Sequence, residues 1–166
     1  MHVPGLLQTE DYARSIFDAV LPELPRLEVE LRVAQRNARQ QVLRGDQPIP
    51  YVGYIHEAAL RMQFGGRAAA RRQLQHLNEQ SEQEHITLLV LPVELGIFPG
   101  AGHALLYAEG PVRRLDTAQL DTAHGPAFMH AEDQLAKYWS HLAWMAEAAL
   151  SPEASRGFIH AIAVKL

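Results

Sequence analysis

No cysteine occurs in the 166 residues. That removes disulfide frameworks, thiolate nucleophiles and sulfur-ligated metal sites together, and makes a cytoplasmic setting the simplest expectation. Lysine is nearly missing too, at Lys137 and Lys165, so arginine carries the positive charge. With a net charge of −4, the chain lacks the positive excess by which a domain that holds nucleic acid on its own neutralises phosphates. No apolar run approaches the ~18 residues needed to cross a bilayer. No basic, apolar and small-residue order marks a signal peptide, so no membrane role is expected. Internal repeats, low-complexity tracts and linkers are absent, and residues 1–166 read as a single domain. What remains is the balance of a globular chain, 48% hydrophobic and 20% charged, long enough to bury a core.

Two short apolar runs organise the middle of the chain. Tyr51-Val52-Gly53-Tyr54-Ile55 is followed by His56-Glu57-Ala58-Ala59-Leu60-Arg61, a Gly65-Gly66 break and an Ala/Gln/Arg-rich stretch from Arg67 to about Gln83. Ile86 to Leu91 closes it before Pro92. Strand, helix, strand is the reading, and a helical crossover between neighbouring strands implies parallel pairing, a βαβ unit. Because the second run is apolar at nearly every position, both its faces are expected to be covered.

Before this unit, Thr9 is placed to cap a helix that runs to about Val20, with Glu10 and Asp11 in its first turn. A second helix is expected from about Pro25 to Arg44, with Leu27, Leu31, Ala34, Ala38 and Val42 as its core-facing stripe. After Pro92 come a Gly-rich loop, a strand at His103–Ala108 and one or two edge strands within Val112–Leu120, with Gly125-Pro126 ending the region. Leu135, Tyr138, Trp139, Leu142, Met145, Ala146 and Ala149 predict a helix with a wide apolar stripe from about Ala131 to Ala149. Ser151-Pro152-Glu153 opens the last helix, with Phe158, Ile159 and Ile162 on its buried side. The expected fold class is therefore α+β: a small mixed β-sheet built on the βαβ unit, flanked by two N-terminal and two C-terminal helices.

Several stretches carry a resemblance in order along the chain. They are Val3-Pro4-Gly5-Leu6-Leu7-Gln8-Thr9-Glu10-Asp11-Tyr12-Ala13-Arg14, then Arg32, Arg36, Arg39-Gln40 and Leu43. Glu57-Ala58-Ala59-Leu60-Arg61 with Gly65-Gly66, Gln73-Leu74 and Leu77 follow, then Val90-Leu91-Pro92 and Ala149-Leu150-Ser151-Pro152-Glu153 with Ser155-Arg156. The chain resembles the C-terminal domain of unknown function 5753 of actinobacterial regulators, found downstream of an Xre-type helix-turn-helix. The resemblance implies a transcription regulator whose DNA-reading domain precedes Met1, so DNA would be met through that missing N-terminal domain alone. It further implies an antitoxin-like role in some members, with a small partner protein encoded beside them. His56, Ala104 and Ala118-Gln119-Leu120-Asp121 depart from the family pattern.

Several candidate sites stand against plainer readings. Arg32, Arg36 and Arg39 share a helix face that suits an anion, an acidic partner or a core carboxylate; the plainer reading is a solvated face with Glu28 paired to Arg32. Glu57, directly after a strand, needs a partner if buried, and Arg36 or Arg39 is the expected one. The two helices of residues 9–44 invite a helix-turn-helix reading, which the two prolines in the turn, the long second helix and the acidic total oppose. Gly65-Gly66 suits an anion less well than a chain reversal. The histidines, His103, His124 and His130 among them, have no metal-site spacing, and no Gly-x-Ser-x-Gly elbow occurs. Neither metal nor cofactor is expected. Trp139 falls on the apolar stripe and is read as core, which leaves Trp144 and Phe98 as the candidates for a contact surface.

The expected function is a non-catalytic sensing or partner-binding module of a helix-turn-helix regulator. Its partner would be a small protein or a small-molecule effector, with a homodimer as a further assembly state. The alternative is a small hydrolase-type enzyme with a site in the loops near Glu57 and His103. A cleft joining those residues to arginine would favour the enzyme; a shallow apolar patch around Trp144 and Phe98 would favour the module.

Overall fold

The computed structural model describes residues 2–99, 104–122 and 125–166. In chain order its elements are α1 (Glu10–Asp18), α2 (Arg26–Arg39), β1 (Tyr51–His56), α3 (Glu57–Arg61), α4 (Gly66–Gln80) and β2 (Ile86–Leu91). There follow β3 (Leu105–Ala108), β4 (Thr117–Thr122), β5 (Gly125–Met129), α5 (Glu132–Ala148) and α6 (Pro152–Lys165). The fold is α+β. Its strands divide into two sheets, the parallel pair β1–β2 and the antiparallel β3–β4–β5. Among the described residues no helix is long and apolar enough to cross a membrane. Two compact units result, residues 2–92 with 150–166, and residues 93–149.

The first unit holds the βαβ crossover. Tyr51 lies opposite Ile86 and His56 opposite Leu91. Ile86, Leu88 and Val90 are buried, whereas Thr87 and Leu89 are half-covered, so one face of β2 is sealed and the other only partly. Leu7, Tyr12, Ile55, Leu60, Leu74, Leu77, Leu88 and Ile159 share the main core. Helix α6 packs on α4 and β2, and α1 packs on α2 and α4.

The helix after Pro25 corrects the sequence reading. Its buried residues are Val29 and Val33, clustered with Phe17 of α1, while Leu27 is 72% and Leu31 61% exposed and Ala34, Ala38 and Val42 face solvent. Two sets of apolar residues obey helical spacing here, and periodicity cannot rank them. Contact with Phe17 selects the β-branched pair. After Arg39 the helix tightens to a 3-10 turn, Gln40–Leu43, that brings Leu43 into the core.

In the second unit β4 is central. Tyr107, Ala118 and Met129 align on one face; Leu106, Gln119 and Phe128 align on the other. Tyr107 meets Trp139 of α5 with ring centroids 5.8 Å apart, so α5 covers the first face. Gly125-Pro126, expected to end the region, instead opens β5. A proline is tolerated there because β5 is an edge strand.

Candidate functional site

The carboxyl end of a parallel strand pair is where open α/β sheets place ligands, and here it presents His56 and Glu57. Glu57 begins α3, where the helix dipole favours an acid, and its side chain is 4% exposed. Arg61, one turn on, reaches back with Nε 2.6 Å from Glu57 Oε1. The salt bridge expected from Arg36 or Arg39 is thus made by Arg61. Arg36 donates to Gln8 Oε1 at 2.5 Å and lies 4.5 Å from the centre of the Phe17 ring. Next to Glu57, His56 Nδ1 accepts the Ala58 N–H at 3.2 Å, which requires that nitrogen to be unprotonated and closes the helix start. The group can hold a cationic partner or brace the strand–helix corner. Two depressions, of about 240 and 310 Å3, lie elsewhere: one beside β2 and Pro152, the other between α1 and α2. Neither is lined by His56, Glu57 or Arg61.

On α2 the plainer expectation for Arg32 holds: it pairs with Glu28 at 2.5 Å in an exposed i,i+4 bridge. Arg32 and Arg36 both approach the Phe17 ring, and Arg39 is exposed. Gly65 and Gly66, both at positive φ, make a chain reversal into α4. His103 and His124 lie outside the described residues. No group of three His, Asp or Glu side chains that could hold a metal occurs among the described residues.

In residues 93–149 the core reading of Trp139 is corrected. Trp139 is 42% exposed, its ring flanked by Tyr107 and by the Arg113 guanidinium 5.5 Å away, whereas Trp144 is half-buried. The buried line on α5 runs through Leu135 and Met145 with Tyr138 and Leu142 half-covered, a narrower stripe than expected. Phe98 is half-buried in its loop. Asp116 clamps the β3–β4 turn: its Oδ1 accepts the Gly110 N–H at 2.9 Å and its Oδ2 the Tyr107 hydroxyl at 2.8 Å. Those donors, the Gly110 amide foremost, hold the Asp116 carboxyl below its ordinary range. Burial, reinforced by Asp116, pushes the Tyr107 phenol up to about 12. The opposite sheet face carries half-covered Leu106 and Phe128, which is 57% exposed.

The opening segment is held by buried glutamines. Gln8 Nε2 donates to Val3 O at 2.6 Å, and Gln40 Nε2 to Gln8 O at 2.7 Å. Gln73 Nε2 donates to Leu7 O at 2.7 Å while its Oε1 accepts the Thr9 N–H at 2.8 Å. Thr9 therefore turns its hydroxyl toward Gln73, and caps α1 with no side-chain bond. At the other end Ser155 Oγ accepts the Val90 N–H at 2.9 Å and the Leu150 N–H donates to Val90 O at 2.9 Å. Ser151 Oγ caps α6, and Arg156 donates to Ser81 O.

The family model described as a domain of unknown function (DUF5753) matches residues 1–161. The chain belongs to that family. No curated protein and no solved structure matches it. The segments that carried the DUF5753 resemblance have architectural work in this chain. Val3, Leu7, Tyr12 and Ala13 of the opening are core, and Gln8 and Gln73 saturate its backbone. Ser155 and Leu150 of the closing segment occupy the outward backbone groups of β2 at Val90. The sequence marks Gln40, Gln73 and Ser155 only as part of the resemblance and does not reveal their hydrogen-bonding roles. The available signal was a polar residue on an apolar line: Gln73 falls between Ala70 and Leu77, and Gln40 lies seven residues after Val33.

Proposed function

We propose that this DUF5753 chain is a non-catalytic sensing or partner-binding module of a helix-turn-helix transcription regulator. The Xre-type association and antitoxin-like role of actinobacterial members are its context. One observation carries the reading. The β3–β4–β5 sheet has α5 against the face of Tyr107, while Phe128, on the face it shares with Leu106, is 57% exposed. An antiparallel sheet can leave one face to water, but a large exposed aromatic on that face suits a protein surface better than solvent. Binding there would act by linkage: a partner that prefers one conformation or assembly state shifts the population able to bind DNA.

The test is co-purification of the full-length regulator with the small protein encoded beside it, alongside Phe128→Ser. Retention at equal stoichiometry by the wild type and its loss in the variant are expected. Retention indifferent to Phe128, or turnover of a retained metabolite, overturns the reading.

A further inference from the structure

Residues Leu27, Leu31, Ala34 and Ala38 are spaced four, three and four apart, the pattern of a coiled-coil seam. All four face solvent, together with Val42 just beyond them. Ile49 is exposed as well, and its N–H to Val42 O bond of 3.0 Å keeps it at that end. Leu27 and Leu31 left open to water at the head of this line are costly, and the contact with α1 does not need them, since Val29 and Val33 already supply it.

We infer that this seam is a homodimer interface in which α2 packs antiparallel against α2 of a second copy. This surface is distinct from the Phe128 face and does not rest on the proposed function. Two features of the sequence specify the occupant and its direction. The seam is large in its first half and small in its second. Reversing one copy sets Leu27 against the partner's Ala38 and Leu31 against the partner's Ala34, so large side chains meet small ones in every layer. A parallel pair would stack leucine on leucine at one end and leave alanines apart at the other.

Charge follows the same reversal. Residues 23–31 carry Glu23, Glu28 and Glu30 against Arg26, whereas residues 32–44 carry Arg32, Arg36, Arg39, Arg44 and no acid. Antiparallel packing brings the acidic end of each helix to the basic end of the other and opposes the helix dipoles. Beside the seam it places Glu28 near the partner's Gln35 and Glu30 near the partner's Asn37, pairs that can hydrogen-bond. A pair of helices this length buries on the order of 1,000 Å2, the lower edge for a specific interface, so a reversible dimer is expected.

Sedimentation of the 166-residue chain over a concentration series tests this, with Leu31→Glu as the variant. A reversible monomer–dimer equilibrium is expected. Leu31→Glu should weaken it by roughly 100-fold, because two-fold symmetry counts the charge twice. Its circular dichroism should stay unchanged, and so should its urea midpoint at concentrations where both proteins are monomeric, since Leu31 is exposed. Direction is read from single cysteines, for which the cysteine-free chain is a clean background. Leu27→Cys and Ala38→Cys should form a disulfide when mixed and oxidised, and neither should do so alone. A chain that stays monomeric to its solubility limit, a dimer indifferent to Leu31→Glu, or disulfides formed by either variant alone overturns the inference. Phe128→Ser should leave the dimer intact, which separates this result from failure of the partner surface.

Discussion

At the scale of single residues, amide side chains do what is usually left to backbone ladders or caps. Gln73 is 1% exposed and satisfies both Leu7 O and the Thr9 N–H, across more than sixty residues of sequence. Gln73→Leu keeps the volume and strands both groups, at about 1–3 kcal/mol each. Urea unfolding should show a loss in that range or above it, whereas a change within experimental noise would mean that water replaces the amide. The two central glycines make a sharper comparison. Gly65 has φ +72 and a Cβ there would lie 2.9 Å from Ala69 Cβ; Gly66 has φ +83 and open space. Both alanine variants incur the left-handed backbone penalty of about 1–2 kcal/mol, and Gly65→Ala adds the contact. Gly65→Ala should therefore be the less stable of the two, and equal midpoints would remove the steric argument.

At the scale of elements, legibility followed how many solutions each pattern allowed. The crossover was readable because β-rich apolar runs bracket one helical segment. The closing helix was readable from Ser151-Pro152-Glu153, a cap whose chemistry fits one terminus. On α2 the sequence offers two apolar lines, and only the position of Phe17 decides between them. On α5 the width of the stripe concealed that Trp139 lay at its exposed rim. β5 was missed because Gly-Pro reads as a stop until the strand is known to be an edge. Of the candidate site, the burial of Glu57 was foreseeable and its partner was not, because Arg61 is local and Arg36 goes to Gln8 and Phe17.

The β3–β4 hairpin carries a pH prediction. Asp116 is depressed in the folded chain, so its contribution is complete above the ordinary aspartate value of 3.8 and is lost as pH falls below it. Tyr107 is raised, so its contribution is complete below 10.0 and is lost as pH rises toward about 12. Trp139, packed on Tyr107, reports the hairpin once Trp144→Phe removes the second indole. Its emission should hold steady between those limits and shift outside both. Asp116→Asn should abolish the acid-side shift, and an unchanged acid limb in that variant would assign it to another carboxylate.

At the scale of the molecule, hydrophobic cover is unevenly shared. Residues 2–92 with 150–166 own nearly all of the buried apolar side chains, from Val3 through Ala163. Among the described residues of 93–149, Ala118, Leu135 and Met145 are the buried apolar ones, while Val112, Leu115 and Phe128 face water. Local stability tracks buried contact, so amides of β3, β4, β5 and α5 should exchange with solvent faster than those of β1, β2 and α4. The proposed linkage would have a use for this asymmetry, because a segment near its own unfolding limit gains most from a ligand. Hydrogen exchange with and without the proposed partner would then show protection rising in β3–β5 and little altered in β1–β2. Uniform protection across both units in the free chain would remove the asymmetry, and a partner-induced change confined to the crossover would place the responsive element in the better-covered unit.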